Sequence, residues 1–241
     1  MTDATPRKSD LNVRVASAVA MVAVAGTALW LGGYAWFLFV LAVALVCLGE
    51  FVRLIWLATA SNGKRIGGAF AAFMYVGLAG LLLADMRHQW LHDIDGSIGR
   101  VSVLSVVGVV VFTDIGAYFS GRTFGGPKIA PRISPSKTWA GLLGGMVAAA
   151  VWGLIALHLF ARAVDATEFA QVGINQLNAA LSAATLAVVA QSGDFFESWL
   201  KRQAGAKDSS NLIPGHGGVF DRVDGLIPVV LLSAYLFRPP F

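Results

Sequence analysis

Residues 15–49 read V-A-S-A-V-A-M-V-A-V-A-G-T-A-L-W-L-G-G-Y-A-W-F-L-F-V-L-A-V-A-L-V-C-L-G and contain no charged side chain. A helix crossing about 30 Å of hydrocarbon needs roughly 20 apolar residues, so this run is too long for one span. Gly32-Gly33 is its natural break. The reading is two helices, about Val15–Leu31 and Tyr34–Leu57, the second ending around Glu50 and Arg53. Working outward, further spans fall at about Ile66–Ala84, Val101–Ser120, Thr138–Ala161, Leu177–Trp199 and Gly225–Phe237; the last is short and contains Pro228. The expected fold is all-α, a polytopic transmembrane bundle of about seven spans in a single domain over residues 1–241. Spans show no internal repeat. A cleaved signal peptide is the weaker reading of the first segment, because signal apolar regions usually run 7–15 residues and this one continues into a second span.

Composition agrees. Apolar residues make up 56% of the 241 and charged residues 13%, against about 45–50% and 25% in ordinary globular domains. Mean hydropathy is +0.69. These values exclude an ordinary soluble domain and make disorder, nucleic-acid binding and a disulfide scaffold poor readings. The single cysteine, Cys47, lies inside an apolar run with no partner in the chain.

The net charge of +4 matters less than where the charges sit. With the N-terminus inside, inside segments carry Arg7, Lys8, Arg14, Arg53, Lys64, Arg65, Arg122, Lys128, Arg132, Lys137, Lys201, Arg202, Lys207 and Arg222. Outside segments carry Arg87, Arg100, Arg162 and Arg238, together with Asp85, Asp93, Asp95, Asp165 and Glu168. Fourteen cations against four is a strong positive-inside bias. It predicts a cytoplasmic N-terminus and an outside C-terminus.

Two inside loops stand apart, Asp114–Thr138 and Asp194–Asp224, both dense in Gly, Pro, Lys, Arg and Asp. Asp114 follows thirteen uncharged residues and Asp194 follows twenty-five. A carboxylate at a span's end is costly and usually faces a cavity, a counter-charge or a metal; the plainer alternative is a snorkelling or ion-paired acid. If the sixth span continues past Gly193, then Asp194, Glu197, Ser198 and Lys201 share one helix face at i, i+3, i+4 and i+7. Asp221 and Asp224 are likewise three apart. Two carboxylate pairs at one membrane surface suit a hard cation such as Mg²⁺, which takes one or two carboxylates plus substrate phosphates. Lys201, Arg202, Lys207 and Arg222 surround them and suit a polyphosphate. A polybasic lipid-headgroup anchor is the alternative, but it does not need Gly215-His216-Gly217-Gly218, whose glycines permit tight turns and close approach to a ligand. Ser136 can N-cap the fifth span, and with Lys137 and Thr138 it would form an anion site at a helix start. The phosphate-loop pattern G-x-x-x-x-G-K-[ST] is absent.

Taken together, Ser198, Lys201-Arg202, Lys207-Asp208, Ser210, Ile213-Pro214, His216-Gly217-Gly218, Asp221-Arg222 and Asp224 resemble the signature of the phosphatidate cytidylyltransferase family, also called CDP-diacylglycerol synthases, without departure over 27 positions. Upstream, Asp114, Gly116-Ala117-Tyr118, Gly121-Arg122, Phe124-Gly125, Ser134-Pro135, Ser136-Lys137-Thr138 and Gly141 look like a second family motif. Many members carry an acidic or amide residue where Ala140 stands here, and that position is given no role. The resemblance covers a catalytic half, about residues 101–241; before Asp114 only hydropathy matches.

This resemblance implies an enzyme of phospholipid biosynthesis in the cell's inner membrane, its active site facing the cytoplasm. It would convert CTP and phosphatidate to CDP-diacylglycerol and pyrophosphate with Mg²⁺, as a homodimer. The implied metal ligands are Asp194 and Asp221, sometimes with a monovalent cation such as K⁺. Asp224, Asp114 and Glu197 are weaker metal candidates. Lys201, Arg202, Lys207 and Arg222 would hold phosphates, with Ser136, Lys137 and Thr138 assisting and Ser198, Gly217 and Gly218 lining the substrate. His216 would bind a phosphate or steer a proton. Rival readings are a CTP-dependent polyprenol kinase, an archaeal-lipid cytidylyltransferase and, from another class, a small anion transporter. The transporter calls for ionisable residues at mid-membrane and inverted repeats; here the polar cluster lies at one face.

Overall fold

The computed structural model describes residues 8–88, 96–164 and 175–236. Arg7, Asp93, Asp95, Asp165, Glu168 and Arg238 of the charge count lie outside them. The elements are α1 (Lys8–Leu31), α2 (Gly33–Ala58), α3 (Asn62–Asp85), α4 (Ser97–Phe124), β1 (Lys128–Ala130), β2 (Ser134–Thr138), α5 (Trp139–Ala163), α6 (Gln176–Gln203), α7 (Phe220–Val223) and α8 (Leu226–Leu236). Helix α1 ends and α2 begins at the expected glycine pair, where Gly32 has φ +63°.

Six of these helices, α1 to α6, are long and apolar enough to cross a membrane. The expected seventh span is different. Helix α8 has 11 residues, which at 1.5 Å per residue is about 16 Å, roughly half a bilayer core. Val229, Val230 and Ser233 on it are buried, so α8 is a half-length plug packed into the bundle.

The two loops also differ from expectation. Helix α4 runs on to Phe124, so Asp114 lies within the helix, as the expected span to Ser120 has it, and the loop proper starts later. Residues 128–138 form an antiparallel ribbon, with Lys128 opposite Thr138 and Ala130 opposite Ser134. The fold is all-α apart from that ribbon. Ser136 lies in β2 and does not cap α5. The cap is Thr138, whose Oγ1 accepts from the Gly141 N–H at 3.0 Å; extended backbone continues two residues past Ser136 before the helix begins.

Helices α4 and α5 pack closely through small residues. Gly116 faces Gly144 and Ala148, and a methyl on Gly116 would lie 2.5 Å from the Gly144 carbonyl oxygen. Within hydrocarbon, such small residues let backbones approach where apolar burial alone gives little drive. Polar side chains in α4 are satisfied locally: Ser102, Ser105, Thr113 and Ser120 each donate to the carbonyl four residues back. Trp152 of α5 donates to the Ser105 carbonyl at 3.0 Å. We expect Gly116→Ala to cost about 1–3 kcal/mol by overpacking, read as a lower thermal midpoint of the detergent-solubilised protein with helical content retained.

Candidate active site

The site gathers at one end of the bundle, where α2 and α6 end and α5 begins. An aromatic layer supports it. Phe51 of α2 stacks on Phe220 of α7 with ring centroids 4.9 Å apart and meets Phe196 of α6 edge-on at 5.7 Å. Tyr75 of α3 meets both Phe51 and Phe196. This layer locks four helices together directly beneath the polar groups.

Helix α6 does continue past Gly193, and its predicted face is present. Ser198 Oγ donates to Asp194 Oδ1 at 3.3 Å. Lys201 Nζ lies 2.6 Å from Glu197 Oε2 and 2.7 Å from Asp221 Oδ1. One ammonium thus bridges the helix to the loop residue twenty positions on. Glu197 is 1% exposed, and its Oε1 is buried with no hydrogen-bond partner. Asp221 Oδ2 accepts from the Ser209 N–H at 3.0 Å, the Ser209 hydroxyl at 3.0 Å and the Gly218 N–H at 2.8 Å. Burial alone would raise the Asp221 carboxyl. Its hydrogen bonds and the Lys201 charge outweigh that and hold it well below the usual carboxylate range.

A second acidic group lies alongside. Lys137 of β2 is ion-paired with Asp194 Oδ2. Asp224 sits next to Asp194 because Gly193 has no side chain: a methyl there would strike the Asp224 carbonyl and Pro228. Burial, then the negative charges of Asp194 and Asp114, push Asp224 up to about 7 despite the Gly225 N–H it accepts. Direct contacts thus join Asp194 to Lys137 and Ser198, and Glu197 and Asp221 to Lys201, while Asp114 and Asp224 lie near them without an ion pair to either lysine.

The remaining predicted residues are less drawn in. Arg202 and Lys207 are exposed and form no ion pair among the described residues. Arg222 is exposed and donates twice to the His216 carbonyl, at 2.7 and 3.1 Å. His216 Nδ1 lies 2.9 Å from Ser17 Oγ of α1. Ser136 is exposed on β2, and Thr138 is buried as the α5 cap. Gly217 has φ +83°. Gly218 is pressed against Ser209 Oγ and the Glu50 carboxylate, so these glycines serve close packing within the loop.

Sequence reasoning missed Glu50, Ser209, Arg53 and Ser17. Glu50, 6% exposed, accepts from Ser209, Ser210, Val219 and Phe220. Arg53 donates to the Ser209 carbonyl. The signal for Glu50 was present: it ends a 35-residue uncharged run, the same boundary argument that singled out Asp114 and Asp194.

Among the described residues no three or more acidic, histidine or cysteine side chains form a metal cage. A cation bound by one or two carboxylates and completed by substrate phosphates needs none. The hard oxygen donors, the crowded charges at Asp194 and Asp224, and the orphaned Glu197 Oε1 fit such a cation.

A family profile described as the cytidylyltransferase family matches residues 55–239. A phosphatidate cytidylyltransferase of Brucella suis is 44% identical over 175 residues, 73% of this chain and 58% of that protein. One from Haemophilus influenzae is 41% identical over 162 residues, 66% of this chain and 52% of that protein. One from Pseudomonas aeruginosa is 46% identical over 134 residues, 56% of this chain and 46% of that protein. The matched region spans about half the length of these relatives, from 46% to 58%.

Removing Lys201 would take from buried Glu197 its one ion-pair partner among the described residues and from Asp221 its cation, leaving Asp221 only the Ser209 and Gly218 donors. Lys201→Met should cost about 3–5 kcal/mol, seen as a lower thermal midpoint, and adding Glu197→Gln should recover part of that loss.

Proposed function

The chain belongs to the cytidylyltransferase family, and we propose that it transfers the CMP group of CTP to phosphatidate, giving CDP-diacylglycerol and pyrophosphate. A phosphate oxygen of phosphatidate attacks the α-phosphorus of CTP. A new P–O bond forms, the bond to the β-phosphate's bridging oxygen breaks, and pyrophosphate leaves with its electron pair. The nucleophile is already anionic, so no strong base is required. The relatives' names support the substrates, and the observation that carries the chemistry is the pairing of Lys137 with Asp194 and of Lys201 with Glu197 and Asp221 at one end of the bundle.

In this reading the chain's residues position substrates and neutralise charge. Exposed Arg202, Lys207 and Arg222 face the aqueous side and hold the triphosphate. Lys137 and Lys201 set the charge beneath it. His216, held by Ser17, contributes a phosphate contact. Acyl chains stay in lipid beside the bundle. When bound, Mg²⁺ supplies Lewis-acid neutralisation of the phosphates. Asp194 and Asp221 would hold it, with Asp114, Asp224 and Glu197 as further carboxylates near them. The positive-inside bias supports a site facing the cytoplasm from the inner membrane, and a homodimer belongs to the same reading.

Detergent-purified protein given phosphatidate, Mg²⁺ and CTP labelled in the α- or γ-phosphate tests this. Label should pass to lipid only from the α-position, with equimolar pyrophosphate; γ-label in lipid would mean a kinase. Asp194→Asn and Asp221→Asn should each lower turnover by about 10²–10³.

A further inference from the structure

We propose that Glu50 is a positioning residue for this transfer: from α2, its carboxylate sets the backbone that carries Asp221. The inference rests on the functional reading above. Glu50 lies upstream of residues 55–239 matched by the family profile and more than 150 residues from the loop it holds.

Four donors converge on this one carboxylate. Oε2 accepts from the Phe220 N–H at 2.7 Å and the Ser209 hydroxyl at 2.9 Å. Oε1 accepts from the Ser210 hydroxyl at 2.5 Å and the Val219 N–H at 3.1 Å. The two amides belong to consecutive peptide planes, and the next residue is Asp221. Val219 has no side-chain hydrogen bond to offer the turn it opens, so the acceptor comes from another helix. Ser209 Oγ touches both carboxylates, 2.9 Å from Glu50 and 3.0 Å from Asp221. A hydroxyl carries one proton, so Ser209 donates to one carboxylate at a time and spaces the two. Phe51, next to Glu50, stacks on Phe220. Polar and apolar contacts from two adjacent α2 residues therefore fix one peptide, and through it the direction of Asp221. Glu50 is buried, so it acts through Asp221 and not on substrate.

Glu50→Gln keeps the volume but exchanges an acceptor oxygen for a donor amide, leaving at least one of the two backbone amides unmet. Compared with wild type in detergent, kcat for CMP transfer should fall about 10- to 100-fold, the range expected for a misplaced catalytic group. KM for phosphatidate should stay within about twofold, since uniform substrate binding is untouched. Hydrogen exchange should rise at the Val219 and Phe220 amides and not in α4 or α5. An unchanged kcat overturns the proposal, as does a loss confined to KM. If Glu50→Gln does not fold, Glu50→Asp keeps the charge but, one methylene shorter, withdraws the carboxylate from the Val219 and Phe220 amides. A lowered kcat with raised exchange at those two amides supports the proposal and an unchanged kcat overturns it. A wild-type chain that transfers no CMP fails the functional reading and the proposal with it; an active wild type with an unimpaired variant fails the proposal alone.

Discussion

Lys201 sits between Glu197 and Asp221, 2.6 and 2.7 Å away, and this single cation against two buried carboxylates shapes the site around it. At the edge of a hydrocarbon layer an unmatched charge is costly. Each carboxylate must therefore find donors, and the fold supplies them from distant places. Asp221 takes two amides, a hydroxyl and the lysine. Glu50 takes two amides and the Ser210 hydroxyl, and competes with Asp221 for the one Ser209 proton. Asp194 takes Lys137 from the ribbon. Asp224 lies near Asp194, where burial and neighbouring negative charge raise its carboxyl, and one oxygen of Glu197 has no hydrogen-bond partner. Exposed Arg202, Lys207 and Arg222 lie in the same segment as this buried polar layer.

That arrangement is held from below by packing. The stack of Phe51 on Phe220 joins the second helix to the short helix before the last one. The glycines at 116 and 193 let backbones touch where any side chain would part them. The second of these contacts brings Asp194 beside Asp224, so a residue with no chemistry of its own determines which carboxylates are neighbours. Half-length α8 fits the same logic. It fills the bundle beneath the site and has its polar Ser233 buried and bonded to the Val230 carbonyl.

Much of this was legible along the chain, and what was legible was periodic or local. The four-residue face on α6 followed from helix geometry once the helix was assumed to continue past Gly193. The break at Gly32-Gly33 followed from span length. Ser136 was misread because a cap residue and a strand residue look alike until the ribbon partner, Lys128 to Ala130, is known. Asp114 falls both within the expected span to Ser120 and at the head of the first polar stretch; α4 carries it as a helical residue, and Gly116 and Gly121 beside it are helix-contact residues. Within the loop, Gly217 and Gly218 also make room for Asp221, Ser209 and Glu50.

The sequence by itself determined an all-α chain of long apolar helices, the break at Gly32-Gly33 and the shared face of Asp194, Glu197, Ser198 and Lys201. Hydropathy and helical period are properties of neighbouring residues and need no fold to be read. Only the tertiary structure decided which carboxylate meets which lysine, that the final apolar segment is a half-length plug, and that Glu50 of the second helix belongs to the site. Those facts depend on distances between residues as much as 170 positions apart. Such distances are set by side-chain volume and hydrogen-bond satisfaction across helices, and neither leaves a period in the sequence.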